Sequence, residues 1–268
     1  MNSRNFAANN PSPALTLLVW RNLGTALRRG YEYLVFYGLL AIFALMCLLW
    51  SLLAAILFPL LPRRIGAPLG QFVIMAGFRF FVALMNSTRI IRCDLAALDR
   101  LRDAPALVIA PNHPSLLDAV LVISRLPRIV CTAKAKLLNN LFLGGGARLA
   151  GFIRNDVPTR LVREGVRQLR AGRQLLIFPE GTRTSSAAID AFKGGFALIA
   201  QRAGAPVQTV FIDSNSPFLG KGWSLLKKPD FPLVYRVRLG PALAVEGDLH
   251  DFVAGLHSLY RRQVIGRS

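Results

Sequence analysis

The chain has 268 residues, of which 53% are hydrophobic and 18% are charged, and its mean hydropathy is +0.42. This composition excludes a disordered chain, which is poor in apolar residues, and a collagen-like fibre, in which glycine fills every third position. The 33 Lys and Arg residues outnumber the 14 Asp and Glu residues, and the net charge of +19 favours an anionic partner, namely a phospholipid surface, a phosphorylated substrate, an acidic carrier protein or nucleic acid.

Residues 1–86 are predicted to form a basic N-terminus followed by a membrane helix or a helix pair. Residues 33–61 contain no charged side chain, and this stretch is longer than the ~20 residues with which a helix crosses a bilayer. A second apolar stretch, residues 70–85, follows a proline-containing break and is interrupted only by Arg79. Arginines are similarly frequent before and after the first stretch, which favours a helix hairpin, with a single signal anchor as the alternative.

Residues 87–268 are predicted to form one domain in which strands and helices alternate. The predicted strands are residues 106–110, 129–132, 152–153, 174–178, 207–212 and 233–239, and the predicted helices are residues 116–126, 135–149, 159–171, 191–203 and 249–264. Gly144, Gly145 and Gly146 interrupt the second helix and predict a mobile loop. This alternation is typical of an α/β fold, in which a mostly parallel central sheet is flanked by helices.

One of the three histidines is a candidate general base. His250 and His257 lie in the amphipathic C-terminal helix and are expected at the surface, whereas His113 directly follows the first predicted strand in the sequence N-H-P-S-L-L-D. With His113 in the loop and Asp118 about one turn into the helix, the carboxylate can reach back, fix the imidazole tautomer and stabilise the imidazolium. The alternative is a capping pair of Asn112 and His113 with a solvated Asp118.

No protein nucleophile accompanies this histidine. Ser115 lies between the two residues, but the sequence lacks G-x-S-x-G and places no other Ser or Cys in a nucleophile elbow. Cys47, Cys93 and Cys131 are isolated, so neither a disulfide framework nor a metal site is predicted. A base without a protein nucleophile suits direct removal of a proton from a substrate hydroxyl.

A second cluster, F-P-E-G-T-R-T, follows the fourth predicted strand. Gly181 permits an unusual turn, Thr182 offers a hydroxyl and an amide, and Arg183 can bind a phosphate with two hydrogen bonds. Glu180 is expected to order either Arg183 or Arg154, which belongs to the sequence G-F-I-R. The alternative is an ordinary glycine turn with surface charges.

The motifs N-H-x-x-x-x-D, G-x-I-x-R and F-P-E-G-T-R, in this order, resemble the glycerolipid acyltransferase superfamily, specifically the 1-acylglycerol-3-phosphate acyltransferases. The resemblance covers roughly residues 112–212, within a motif-bearing core at about 106–213. The fourth block of that family usually reads V-P-(I/V)-x-P-V, whereas residues 205–210 read A-P-V-Q-T-V, and the usual glycine after this strand is missing. We expect these departures to lie in the part of the site that contacts the acceptor or the acyl chain.

The resemblance implies a reaction and roles for individual residues. His113, oriented by Asp118, would deprotonate an acceptor hydroxyl, which attacks an acyl thioester on CoA or acyl carrier protein without a covalent acyl-enzyme. The glycerol-phosphate group would be bound by Arg154, Glu180, Gly181, Thr182 and Arg183. The acceptor would be the lysophospholipid 1-acylglycerol-3-phosphate and the product phosphatidate, with no metal or bound cofactor, at the cytoplasmic face of the inner membrane.

Two other functions remain open at this stage. The same chemistry can act on a different lysolipid or an acceptor of a specialised pathway, or the chain can be a membrane-anchored protein that only binds anionic lipid. A nucleic-acid partner is not expected, because the sequence lacks a helix-turn-helix, a zinc finger and an aromatic sheet signature.

Further basic residues are candidates for contacts with anions. Arginines recur at spacings of three and four on the helix predicted at residues 159–171, namely Arg160, Arg163, Arg167 and Arg170. This stripe is either a solvated face or a surface for anionic lipid headgroups or an acidic acyl carrier protein. Lys134, Lys136 and Lys193 are additional candidates for binding a phosphate.

Overall fold

The described part of the chain begins with a pair of long helices. The computed structural model describes residues 13–185 and 189–265, and its first elements are α1 (Pro13–Leu60) and α2 (Arg63–Ser87). Pro62 lies between them with an extended backbone (φ −61°, ψ 144°), so that the chain reverses within a few residues. By length and composition, both helices can cross a membrane, over Arg21–Leu60 and Arg63–Ser87. The structure therefore has the helix pair that the sequence favours.

Strands and helices alternate in the rest of the chain. The strands are β1 (Ile91–Asp94), β2 (Val108–Pro111), β3 (Ile129–Ala133), β4 (Ile153–Arg154), β5 (Gln174–Leu176), β6 (Val207–Ser214) and β7 (Leu233–Leu243), and the helices are α3 (Leu117–Ile123), α4 (Ala135–Leu138), α5 (Gly144–Leu149), α6 (Pro158–Arg170), α7 (Gly195–Ala203) and α8 (Leu249–Ile265), with a 3-10 helix at Ala96–Leu101. The sequence missed β1, because its four residues include two charged ones and lack a buried run. The domain boundary at residues 86 and 87 stays a prediction.

The seven strands form one mixed sheet in the order β1-β7-β6-β2-β5-β3-β4. β6, β2, β5, β3 and β4 run parallel, whereas β7 is antiparallel to β6, and β1 is parallel to β7. The central strands β2, β3 and β5 are buried along their whole length, as their mostly apolar residues predict for parallel strands covered on both faces. The predicted fold class is confirmed, and the loops after β2 and β5 lie at one edge of the sheet.

Two apolar layers cover the sheet. On one face, called the hairpin face below, α2, α3 and the 3-10 helix contribute Ile74, Leu121 and Leu98 to a core that also includes residues of α1. On the opposite face, α6, α7 and α8 bury Leu169, Ile199 and Leu256. The helix pair and α6 therefore lie on opposite faces of the sheet.

The three consecutive glycines do not form a mobile loop, and that prediction is wrong. Gly144, Gly145 and Gly146 begin α5, and all three are buried. A Cβ atom at Gly145 would lie 2.0 Å from the carbonyl oxygen of Ser51, and one at Gly146 would lie 2.6 Å from the ring of Trp50. The Gly145 amide donates to Ser51 Oγ at 2.9 Å. Glycine therefore allows α5 to contact α1 directly, which fastens the helix pair to the sheet domain.

Gly145→Ala is expected to lower the melting temperature by several degrees. The added methyl group must displace the backbone of α1, and overpacking of this kind destabilises a protein by about 1–3 kcal/mol. Gly24→Ala is the matched control, because Gly24 is also helical but has no heavy atom within 4 Å of its added Cβ. Thermal unfolding of both variants in detergent measures the difference. Equal melting temperatures would show that α5 does not need this close approach.

One of the two histidines expected at the surface is partly buried. His257 lies in α8, where its imidazole packs edge-on against Phe192 with ring centroids 5.1 Å apart. His250 is exposed, as predicted.

Candidate active site

His113 and Asp118 form a hydrogen-bonded pair at the carboxyl end of β2. The imidazole Nδ1 lies 2.9 Å from Asp118 Oδ2, and the Ser115 amide donates to the same oxygen at 2.7 Å. The carboxylate is fully buried, and the imidazole is 14% exposed. Burial raises the pKa of the Asp118 carboxyl, and the hydrogen bond with His113 opposes this effect. Asp118 is thus buried rather than solvated, and Nε2 is the ring nitrogen left for a substrate.

Two neighbouring residues fix the loop at His113 and its imidazole. The Asn112 side chain donates to the Ile212 carbonyl oxygen at 2.9 Å and accepts from the Ile212 amide at 2.7 Å, which ties the end of β2 to β6. The Phe178 ring stacks on the imidazole with centroids 3.8 Å apart. Asn112 therefore stabilises the loop after β2 by bonding it to β6, a role that the sequence analysis did not assign.

Glu180 connects the two motif loops. Its Oε1 accepts from the His113 amide at 3.0 Å and from the Thr184 hydroxyl at 3.0 Å, and its Oε2 accepts from the Asp190 amide at 3.0 Å. The Thr184 amide in turn donates to the His113 carbonyl oxygen at 2.8 Å. With these donors and only 2% exposure, the carboxylate orders the backbone around His113 instead of an arginine, so that expectation is wrong.

The two predicted arginines occupy different surroundings. Arg183 Nη1 donates to the carbonyl oxygens of Leu219 and Gly220 at 3.0 and 2.7 Å, and its side chain lines the cavity at His113. Arg154 instead pairs with Asp156, through a 3.0 Å bond from Nε and a second, shorter one from Nη2. The Arg154 hydrogen bond lowers the pKa of the Asp156 carboxyl. Only Arg183 therefore reaches the space next to the imidazole directly.

Three lysines that the sequence analysis singled out line this cavity, as Arg183 does. Lys193 packs over Gly181, where an added Cβ would lie 3.0 Å from Lys193 Nζ. Gly181 has a φ of +69°, a backbone conformation that favours glycine. Lys134 and Lys136 follow β3 and line the same cavity, together with Thr182.

An apolar cavity of about 1540 Å³ extends from His113 between the helix pair and the sheet domain. Its walls include Phe43, Trp50 and Phe78 from α1 and α2. The cavity therefore has a cationic end beside the imidazole and an apolar body, a shape and polarity that suit an amphiphile with an anionic head.

The Ser115 hydroxyl and the Cys131 thiol, which lines the cavity, are unsuited as nucleophiles. Ser115 is 1% exposed, and its hydroxyl donates to the Phe218 carbonyl oxygen at 2.9 Å. Burial raises the pKa of Cys131 to about 12, which keeps that thiol protonated near neutral pH. The arrangement supports a base that acts directly on a substrate hydroxyl.

Comparisons with known proteins indicate an acyltransferase. Residues 92–213 match the family described as Acyltransferase. A 1-acyl-sn-glycerol-3-phosphate acyltransferase of Pseudomonas aeruginosa is 26% identical over 229 residues, which cover 83% of this chain and 84% of that protein. A lyso-ornithine lipid O-acyltransferase of the same organism is 34% identical over 128 residues, 43% of this chain and 49% of that protein. The crystal structure of the 1-acyl-sn-glycerophosphate acyltransferase PlsC from Thermotoga maritima has a TM-score of 0.65 at 17% identity, covering 90% of this chain and 96% of that chain.

Proposed function

We propose that this O-acyltransferase, whose residues 92–213 match the family described as Acyltransferase, acylates the free hydroxyl of 1-acylglycerol-3-phosphate and produces phosphatidate. The donor is an acyl thioester, on CoA or on acyl carrier protein. One observation carries the proposal: a histidine fixed by a buried carboxylate faces a cavity with a cationic end and an apolar body. No bound cofactor or metal takes part in the proposed reaction.

The proposed mechanism uses His113 twice. Its Nε2 removes the proton of the acceptor hydroxyl while Asp118 accepts the hydrogen bond from Nδ1–H and stabilises the imidazolium. The acceptor oxygen attacks the thioester carbonyl carbon and forms a tetrahedral oxyanion. This intermediate collapses, the carbon–sulfur bond breaks, and the leaving thiolate takes the proton from the imidazolium. Ester and thiol are the products, and the histidine returns to its neutral form.

Substrate binding follows the polarity of the cavity. The phosphate of the acceptor lies at the cationic end, among Lys134, Lys136, Arg183 and Lys193, and the acyl chains fill the apolar body. Gly181 and Thr182 shape this end. Glu180 orders the loop through the His113 amide, and Arg154 is paired with Asp156, which lines the cavity. This division assigns direct contact with the phosphate to fewer motif residues than the resemblance implies.

The helix pair anchors the site in the membrane, with the catalytic domain on the cytoplasmic face of the inner membrane. Large apolar side chains project outward from α1, among them Leu34 at 72% and Ile56 at 62% exposure. A bilayer removes such surface from water, and thioester donors are available in the cytoplasm. Anionic phospholipid is the expected surrounding for a protein of net charge +19.

The function is tested by identifying the product. Purified full-length protein in phospholipid vesicles receives labelled acyl-CoA or acyl carrier protein, together with either lysophosphatidate or lyso-ornithine lipid. Phosphatidate is the expected product. Acylation of lyso-ornithine lipid in the absence of phosphatidate would overturn the proposed acceptor and leave the proposed chemistry standing.

A different lysolipid is the second candidate acceptor, because the lyso-ornithine lipid enzyme is 34% identical over 128 residues. The unusual Thr209 does not bear on this choice: it is fully buried and donates to the Pro241 carbonyl oxygen at 2.8 Å, in the pairing of β6 with β7. Residues beyond this strand do line the cavity, namely Phe218 and Leu219. The departure at Thr209 is therefore a feature of the sheet, contrary to the expectation from the sequence.

Lys193→Gln is expected to raise the KM for lysophosphatidate by about 10-fold, since a hydrogen bond to a charged group contributes about 1.5–3 kcal/mol. The kcat should change little, because Lys193 contacts neither ring nitrogen of His113 nor its carboxylate partner. An uncharged acceptor, monoacylglycerol, serves as the control. An equal change in KM for both acceptors would show that Lys193 does not bind the phosphate.

A further inference from the structure

Four arginines form an exposed stripe along α6. Arg160, Arg163, Arg167 and Arg170 are all exposed, and their spacings of three and four place them on one side of the helix over a length of about 15 Å. Leu169 and other apolar residues of α6 are buried on the other side. The stripe thus faces solvent along the whole helix, and it plays no part in the core.

Other cations extend the stripe, and few acids offset it. Arg170 donates to the Arg202 carbonyl oxygen at 2.9 Å, which brings the end of α7 beside α6. Burial and, second, the charge of Arg167 lower the pKa of Arg173. Glu164 is the one acid in the sequence of α6, and it pairs with Arg167. The like charges on this surface repel one another, and binding of an anionic partner lowers the free energy by offsetting that repulsion.

A shallow groove runs beside the stripe, between α6 and the end of α7. Its floor includes Val162 and Val166, and its rim is formed by arginines of the stripe together with Arg202. A helix that carries acidic residues at spacings of three and four can lie in such a groove, with its carboxylates opposite the guanidinium groups.

The position of α6 favours a soluble partner over the bilayer that holds the helix pair. The helix pair packs on the hairpin face, whereas α6 packs on the opposite face of the sheet. At its beginning, however, α6 adjoins the catalytic cavity, because Leu161 and Asp156 are among the residues that line it. A partner seated on the stripe can therefore deliver a tethered group to His113 from the side opposite the helix pair.

We propose that Arg160, Arg163, Arg167 and Arg170 are the docking surface for an acidic acyl carrier protein, which presents its thioester to the cavity. The inference rests on the proposed acyl transfer and assigns the donor. CoA is less suited to this surface, because small molecules bind in enclosed concave sites, whereas the stripe and its shallow groove are open to solvent along the helix.

The test compares two variants with the same change in charge. Arg163→Glu/Arg167→Glu reverses the centre of the stripe, and Arg100→Glu/Arg102→Glu reverses two exposed arginines at the 3-10 helix, on the hairpin face. For the stripe variant, kcat/KM with acyl carrier protein as donor should fall by about 10-fold or more at low salt, because like charges then face each other. With acyl-CoA as donor, both variants should stay within about 2-fold of wild type, as should binding to anionic vesicles.

Each other outcome overturns the inference in a recognisable way. An equal loss with acyl-CoA would make the stripe a phosphate site, and weaker vesicle binding by the stripe variant alone would make it a lipid contact. An equal loss in the control variant would indicate a general effect of net charge. Unchanged kinetics with acyl carrier protein would overturn the docking surface while acyl transfer stands, whereas wild type inactive with both donors would overturn the proposed function itself.

Discussion

His113→Ala is expected to lower kcat by about 10²- to 10⁴-fold, the usual contribution of a general base. The imidazole is the group whose free nitrogen faces the cavity, and Ser115 and Cys131 are held in protonated, buried forms that cannot replace it. KM should change much less, because the phosphate and the acyl chains bind elsewhere in the cavity. Initial rates of phosphatidate formation from labelled acyl-CoA measure both constants.

His250→Ala is the matched control for this variant. The His250 side chain is 92% exposed in α8, so its removal should leave kcat, KM and the melting temperature unchanged. Melting temperature and vesicle binding of His113→Ala are measured in parallel, since a misfolded protein would also be inactive. Full activity of a folded His113→Ala variant would place the base elsewhere and refute the mechanism.

The sequence predicted the parts of the site that depend on short separations. His113 and Asp118 are five residues apart, across one loop and one helical turn, so their contact follows from local geometry. The pairing of Arg154 with Asp156, two residues away, also follows from local spacing, and it competes with the phosphate contact that the motif predicts for Arg154. Local spacing is thus sufficient to predict such contacts when every charged residue within a few positions is considered.

Contacts between distant segments could not be predicted in this way. Glu180 is joined to His113 through a backbone amide 67 residues away, and a backbone donor leaves no trace in side-chain types. The same holds for Gly145, whose small size is explained only by Ser51 on a helix 94 residues earlier. Three glycines in a row therefore predict a loop from the sequence alone, although the cause is close packing between two helices.

Asp118→Asn is expected to lower kcat on the order of 10⁴-fold, by analogy with other catalytic His–Asp pairs. The asparagine amide can donate to Nδ1 of His113, which favours the tautomer with a proton on Nε2. That tautomer has no lone pair for the substrate hydroxyl, and the variant also lacks the charge that stabilises the imidazolium. The kcat of Asp118→Asn, measured beside His113→Ala, should fall by a comparable factor.

Asp118→Asn should gain stability relative to wild type at neutral pH, although it loses activity. Burial raises the pKa of Asp118 above its ordinary 3.8, so the folded protein holds this proton more tightly than the unfolded chain does. The stability of wild type therefore falls as the pH rises from the unfolded pKa to the folded one, and it stays lowered above that range. The asparagine variant carries no charge to bury, so this loss is absent from it.

The melting temperature of Asp118→Asn relative to wild type should accordingly increase as the pH is raised from 4 towards 8. Melting curves of both proteins across this range, with kcat measured at each pH, separate the two roles of the carboxylate. A difference in melting temperature that falls with rising pH would mean that the ionised carboxylate stabilises the fold. In that case the loss of kcat would reflect a damaged structure. A difference in melting temperature that rises with pH, together with a low kcat, means that the buried charge is kept for catalysis at the expense of stability.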